Sequence, residues 1–434
     1  MTSGITSWFI ALLKQTRIAM ERNFYIIDKM LVFTLFLFTA SSMFSISISQ
    51  ISAGLGGFLW LLRAYLTNTW KEQRWPLGIP FALFCLASFI AVANAYDVSY
   101  SYSSLKKLLE FLIFFWVLNC VRENNLRNSL SLTLIASATI ASLFGFYQFW
   151  QASEALSLIK TILAFRVEGT LSSYMTFAGL LMMVEILALA YVIFGQSAQK
   201  LIWISTGIIL YCLLLTHTRQ AWFGFFVGII FLTFCWRKKF FLFIPFIFMA
   251  IFLLSPDPVK KRVLETTTQC LTYQECQANK SAHWELAMRT NLWQFGWKVF
   301  KDYPVTGCGF RCVDLIHNQY VDPYPHEHGS VRHLRGMHNS FIQIAVDTGI
   351  LGAAAWLGIW ASFFRFLYHK AIILEKNADE RWVILGSAAA VLAFLAAGLF
   401  ETNFYDSEVA MLLYFIMALP FAGTQNTSEA VAET

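Results

Sequence analysis

Apolar runs of bilayer-spanning length, roughly 17 to 25 residues, recur along the chain, separated by short polar stretches. Twelve spans are predicted, at 31–48, 51–66, 77–95, 105–121, 129–150, 172–194, 201–216, 220–236, 239–255, 340–364, 382–400 and 407–422. Residues 256–337 break the pattern and contain no such run. Within them Trp284, Met288, Leu292, Phe295 and Val299 fall at i, i+4, i+8, i+11 and i+15, which predicts an amphipathic helix. Asn279 or Ser281 is placed to cap its start, and Pro304 lies just beyond its end. Arg289 projects from the shoulder of the apolar stripe, about 100° from its centre.

The predicted fold class is all-α: a polytopic integral membrane protein of about 12 transmembrane helices with one large periplasmic loop. Residues 1–255 carry helices 1–9, 256–337 form the loop, 338–422 carry helices 10–12, and 423–434 are a polar cytoplasmic tail expected to be disordered. Met1–Lys29 has charges on both sides of a short apolar patch at Trp8–Leu13, so no cleavable signal peptide is expected. Composition agrees with this reading. With 57% hydrophobic and 13% charged residues, the chain is far too apolar for a soluble domain, whose charged share is about a quarter.

Charge sets the orientation. With the N-terminus inside, the inner segments hold 17 of the 32 basic residues and the short outer loops hold five, Lys106, Lys107, Lys160, Arg166 and Arg219. The remaining ten lie in 256–337, and long loops are exempt from the positive-inside rule. Both termini are therefore expected in the cytoplasm. Cys85, Cys120, Cys212 and Cys235 lie in or at the ends of spans, whereas Cys270, Cys276, Cys308 and Cys312 share the outer loop. Four loop cysteines suit an oxidising compartment such as a periplasm. Of three possible pairings, the local pairs Cys270–Cys276 and Cys308–Cys312 are expected because they close short loops; four free thiols are the alternative.

Candidate chemistry gathers on the outer side. Asn339, Gln343 and Asp347 are spaced by four and share one helix face, with His338 beside them at the outer end of a span. Polar groups at membrane depth are functional candidates by default, although interhelical hydrogen bonds alone can account for them. Arg219 sits in "THTRQAW", a turn between two spans; Arg166 and Glu168 sit in "FRVEGTLSS"; Arg289 leads through "MRTNLWQFGWKVFKDYPVTGCGF" to a glycine-rich turn. Snorkelling toward lipid phosphates is the plainer account of Arg219. His326 and His328 of "HEHG", with His333 nearby, have metal-ligand chemistry, but a solvated or acceptor-contacting loop is preferred and no metal is expected.

Together these stretches resemble the O-antigen ligase/O-antigen polymerase superfamily of bacterial membrane glycosyltransferases. The likeness rests on R-x-x-x-W at Arg289–Trp293, on "DYPVTGCGF" at 302–310, and on His338–Asn339 with Gly349 and Gly352. It covers mainly 160–352, and the layout of spans extends it to the whole chain. It implies an O-antigen ligase that moves a glycan from undecaprenyl diphosphate to a sugar of the lipid A core, at the periplasmic side of the inner membrane, with no cofactor and no nucleic acid. His338 is then the expected general base, since an imidazole suits proton abstraction near neutral pH. Arg219 and Arg289, with Arg166 as a third member, are expected to hold the diphosphate by charge-assisted hydrogen bonds. Direct attack inverts the anomeric centre, by analogy with single-displacement glycosidases. The chain has no D-x-D pair of the kind that holds a metal in nucleotide-sugar transferases. The polymerase and protein O-oligosaccharyltransferase branches are alternatives within the superfamily. A transporter is the non-enzymatic alternative, but its basic groups would be expected near mid-membrane rather than at the outer mouth.

Orientation is tested directly by a single cysteine at position 278 in a chain whose native loop cysteines are replaced. It should react with an impermeant maleimide on intact cells; reaction only after lysis would reverse the topology.

Overall fold

The structure is a computed structural model that describes residues 24–155, 165–195, 200–241, 285–320, 336–374 and 380–423, with isolated positions 249, 253 and 260. Among the described residues every regular element is helical. In chain order these are α1 (Phe24–Ser41), α2 (Ile46–Leu66), α3 (Gly78–Ala93), α4 (Val98–Ser104), α5 (Phe111–Cys120), α6 (Asn124–Ala155), α7 (Tyr174–Phe194), α8 (Lys200–Leu215) and α9 (Arg219–Trp236). There follow α10 (Glu285–Asp302), α11 (Val313–Tyr320), α12 (Ser340–Ile373), α13 (Arg381–Ala397) and α14 (Ser407–Ala418). Five of the described helices, α1, α6, α7, α9 and α12, are long and apolar enough to cross a membrane, and α3, α8, α13 and α14 are shorter apolar helices. The chain is a helical membrane protein.

The apolar helices fall on the predicted apolar runs, with shifted ends; the run at 239–255 lies almost wholly outside the described residues. The predicted span 31–48 is divided between two helices. Ser42 donates its hydroxyl back to the Phe38 carbonyl, and Ser45 turns extended and accepts from the Ile48 N–H, which caps α2. The predicted 105–121 span opens as a 3-10 turn at Leu105–Glu110 before α5. The predicted 340–364 span runs on to Ile373. In α10, Leu292, Phe295 and Val299 are buried as the spacing requires, while Trp284, Asn279 and Ser281 lie outside the described residues.

Small residues set the closest helix contacts. A methyl group on Gly224 of α9 would sit 2.5 Å from the Ala393 carbonyl oxygen of α13 and 2.5 Å from the Met182 sulfur of α7. One on Gly228 would sit 2.5 Å from Ile186 Cδ1. This small-xxx-small spacing draws three helices together.

Hydrogen bonds also sort the helix ends. At one end Asn124 Nδ2 donates to Glu380 Oε1 at 2.9 Å, Lys370 Nζ donates to the Pro420 carbonyl at 3.0 Å, and the Gly423 N–H donates to the Val121 carbonyl at 2.9 Å. Gly423, the first residue of the predicted tail, is thus fixed, and residues 424–434 lie outside the described part. The starts of α12 and α14 lie at the opposite end.

The helix α12 is broken at Gly349, whose φ of 63° and ψ of −164° are not helical. The turn after α10 docks into the break. The N–H groups of Ile350 and Leu351 donate to the carbonyls of Pro304 and Val305 at 2.9 and 3.4 Å, and those of Cys308 and Gly309 donate to Val346 and Asp347 at 3.0 and 3.2 Å. Backbone groups freed by the break thereby find partners, as they must in an apolar surrounding. Only glycine fits: a methyl group on Gly349 would lie 2.2 Å from the Val305 oxygen, and one on Gly307 would lie 2.4 Å from the Asp347 backbone.

Gly349→Ala should therefore destabilise the protein by on the order of 3 kcal/mol, from a forbidden φ and a backbone clash. Gly54→Ala, where nothing lies within 4 Å of the added carbon, is the control. Thermal unfolding in detergent should show a lowered midpoint for the first variant alone, and equal midpoints would contradict the role given to the break.

Candidate functional site

The residue before α12 is His338, held at φ 46°, a left-handed conformation that costs a non-glycine residue about 1–2 kcal/mol. Its neighbours over-determine that conformation. Asn339 caps α12, its side-chain oxygen accepting from the N–H groups of Phe341 and Ile342 at 2.9 and 3.0 Å while its amide donates to the Leu399 carbonyl at 3.0 Å. Ser340 Oγ bonds the Glu401 carbonyl at 3.0 Å and Asn403 Oδ1 at 2.8 Å. The start of α12 is thus stitched to the segment joining α13 and α14. From the other side Trp293 Nε1 donates to the Met337 carbonyl at 3.1 Å, which fastens α10 beside the imidazole.

His338 Nδ1 lies 3.2 and 3.3 Å from the two carboxylate oxygens of Glu401. The pair is half-buried, with side-chain exposures of 29% and 20%, so the imidazole is fixed on one edge yet still reachable. Glu401 also accepts from the Thr402 N–H at 3.1 Å and from Gln220 Nε2 at 3.5 Å. Gln220 follows Arg219 at the first turn of α9, so that helix start is brought to the same carboxylate. Arg289, one turn before Trp293 on α10, acts on Glu401 through its charge. Burial pushes the Glu401 carboxyl up, but the hydrogen bond and charge of His338, the Thr402 N–H and Arg289 together hold it below its ordinary value.

His338 and Arg289 therefore converge on Glu401, a residue that sequence reasoning missed, and Gln220, the residue after Arg219, reaches the same carboxylate. Arg166 stands at one remove. Its guanidinium lies 4.7 Å from the centroid of the Tyr174 ring, and the next residue, Val167, donates its N–H to the Leu215 carbonyl at 3.3 Å, beside the turn that leads to Arg219. Gln343 and Asp347 have internal duties. Gln343 accepts from the Met337 N–H at 2.8 Å and donates to Asp347 at 2.9 Å, and Tyr405 donates to the same carboxylate oxygen at 2.8 Å. Both side chains are buried and serve the packing of the break.

The Cys308 and Cys312 sulfurs stand at disulfide distance, with Cα atoms 5.8 Å apart; Cys270 and Cys276 lie outside the described residues. Cys308, Cys312 and Asp347 form the one candidate metal-ligand group among the described residues. Paired as a disulfide, those sulfurs have no thiolate to offer a metal. The "HEHG" histidines and His333 lie outside the described part.

Comparison with known families bears on the broad readings. Residues 204–357 match the O-antigen ligase family model. The match covers that segment and supports the resemblance to the O-antigen ligase/polymerase superfamily of membrane glycosyltransferases. The matched segment runs from α8 into α12 and contains Arg219, Arg289 and His338; Arg166 and Glu401 fall outside it. Among curated proteins, none matches the chain.

The lowered Glu401 value has a consequence for stability. Its contribution is present above the unfolded carboxylate value, about pH 4.3, and is lost as pH falls through the lower folded value. Wild type and Glu401→Gln should therefore differ most in unfolding temperature near neutral pH and converge below about pH 4. A difference that is constant with pH would show that Glu401 is not a charged partner in the fold.

Proposed function

We propose that this protein is an O-antigen ligase. It transfers O-antigen polysaccharide from undecaprenyl diphosphate to a sugar of the lipid A core. The observation that carries the reading is the convergence of His338, Arg289 and the start of α9 on Glu401. In this reading the chain crosses the bacterial inner membrane twelve times, and residues 256–337 lie in the periplasm with the active site.

The chemistry follows from the pairing. With Nδ1–H directed to the carboxylate, the imidazole is held in the tautomer that leaves a lone pair on Nε2. Nε2 takes the proton of the acceptor hydroxyl as that oxygen attacks the anomeric carbon. Glu401 stabilises the imidazolium that forms and fixes the ring plane. Attack opposite the diphosphate inverts the centre in a single step, with no glycosyl-enzyme intermediate. Arg219 and Arg289, assisted by Arg166, hold the diphosphate and offset the negative charge that grows on it as the bond breaks. No metal is required.

A deletion strain should retain lipid-linked polymer and lose all long-chain glycan from lipopolysaccharide on electrophoresis. Core carrying one repeat unit would identify a polymerase instead, and unchanged lipopolysaccharide with loss of glycoprotein would identify a protein transferase. In membranes with matched protein levels, His338→Ala should lower transfer by roughly 10²- to 10⁴-fold with donor binding retained. Arg219→Ala and Arg289→Ala should weaken donor binding as well, and Arg219→Lys should recover only part, because it keeps the charge without the planar fork. A fully active His338→Gln protein would place the base elsewhere.

A further inference from the structure

At the end of the bundle remote from His338, a cavity of about 480 Å³ opens between α1, α2, α5 and α6. Leu31, Leu35 and Trp60 form its buried apolar wall. Val32 also lines it and is 37% exposed, so the cavity reaches the apolar outer surface of α1. Its charged groups are Asp28, Arg63, Arg122 and Glu123, two of each sign. Arg63 donates to both oxygens of Asp28, through Nε and through Nη2 at 3.0 Å, and this pair stands in the wall as a neutral unit. The lining amides are engaged within the protein: Gln73 accepts from Trp60 Nε1 at 2.8 Å, and Asn119 accepts from the Arg74 N–H at 2.8 Å. Arg122 and Glu123 stand exposed at the start of α6.

We propose that this cavity binds a zwitterionic phospholipid with a primary ammonium, of the phosphatidylethanolamine class. The chemistry selects it. The exposed Glu123 carboxylate accepts N–H donors from the ammonium, and the Arg122 guanidinium meets the phosphodiester with two donors in fixed geometry. An acyl chain follows Leu31 and Leu35 out past Val32 onto the lipid-facing side of α1. A purely anionic headgroup would set its charge beside the Glu123 carboxylate with nothing to offer it, and inorganic phosphate has no part to fill the apolar wall. The bound lipid joins α1 and α2 to α5 and α6, so it stabilises the folded protein by mass action.

Native mass spectrometry of the full-length protein, delipidated and mixed with equal amounts of phosphatidylethanolamine and phosphatidylglycerol, tests this. One phosphatidylethanolamine should survive activation that strips other lipid, and it should raise the unfolding temperature. Arg122→Gln and Glu123→Gln, both at exposed positions that leave the fold intact, should each weaken its retention about tenfold, the worth of one charge-assisted hydrogen bond. Equal or better retention of phosphatidylglycerol, or retention indifferent to both substitutions, would overturn the proposal. So would retention that appears only when residues 1–23 are deleted, which would make the chain's own N-terminal segment the occupant.

Discussion

The exchange of backbone hydrogen bonds between the turn after α10 and the break in α12 is the contact on which the rest of the site depends. A helix interrupted within an apolar bundle leaves N–H and C=O groups that nothing but protein can satisfy. Here Pro304, Val305, Cys308 and Gly309 supply those partners. The exchange fixes α10 against the first turns of α12, and with it the distance between the arginine on α10 and the imidazole ahead of α12. Gly307 and Gly349 permit the approach because neither carries a Cβ to collide with the opposing backbone. The buried Asp347 carboxylate, met by Gln343 and Tyr405, closes the same joint from the side-chain direction.

Around that joint the site is assembled by charge. Glu401 comes from the loop between α13 and α14, Gln220 from the start of α9, and Arg289 from α10, so three separate parts of the fold must be in place before His338 is oriented. A carboxylate among donors and a nearby guanidinium stays ionised, and an ionised Glu401 favours a proton on the Nδ1 that faces it. The strain held at His338 is consistent with that purpose, since left-handed conformations persist only where the surroundings enforce them.

Much of this was legible in the sequence. The apolar runs located the helices, because bilayer-length hydrophobicity is a strong signal. The spacing of Trp284, Met288, Leu292, Phe295 and Val299 at i, i+4, i+8, i+11 and i+15 located the stripe of α10. The R-x-x-x-W motif gained a physical meaning only in three dimensions: Trp293 is the fastener at Met337, and Arg289 one turn earlier acts on Glu401 through its charge. Helix ends were less legible, as at Ser45, where a single side-chain cap decided the boundary. Glu401 was missed because its partner is 63 positions away. The available signal was an acidic residue in "FETNFYDSE", the link between the last two apolar runs on the side where the arginines gather. The stripe of Asn339, Gln343 and Asp347 offered two readings that spacing alone does not separate, and the hydrogen bonds resolve them as a cap and a packing network.

The central claim is that donor diphosphate and acceptor hydroxyl meet between the arginines and His338. A structure of the protein in nanodiscs with a lipid-diphosphate glycan and a core-oligosaccharide acceptor, made with an inactive His338→Gln chain, tests it most directly. The account predicts the diphosphate in contact with both Arg219 and Arg289, and the acceptor hydroxyl within about 3 Å of the residue 338 side chain. A diphosphate bound away from these arginines, or an acceptor with no hydroxyl near position 338, would contradict it.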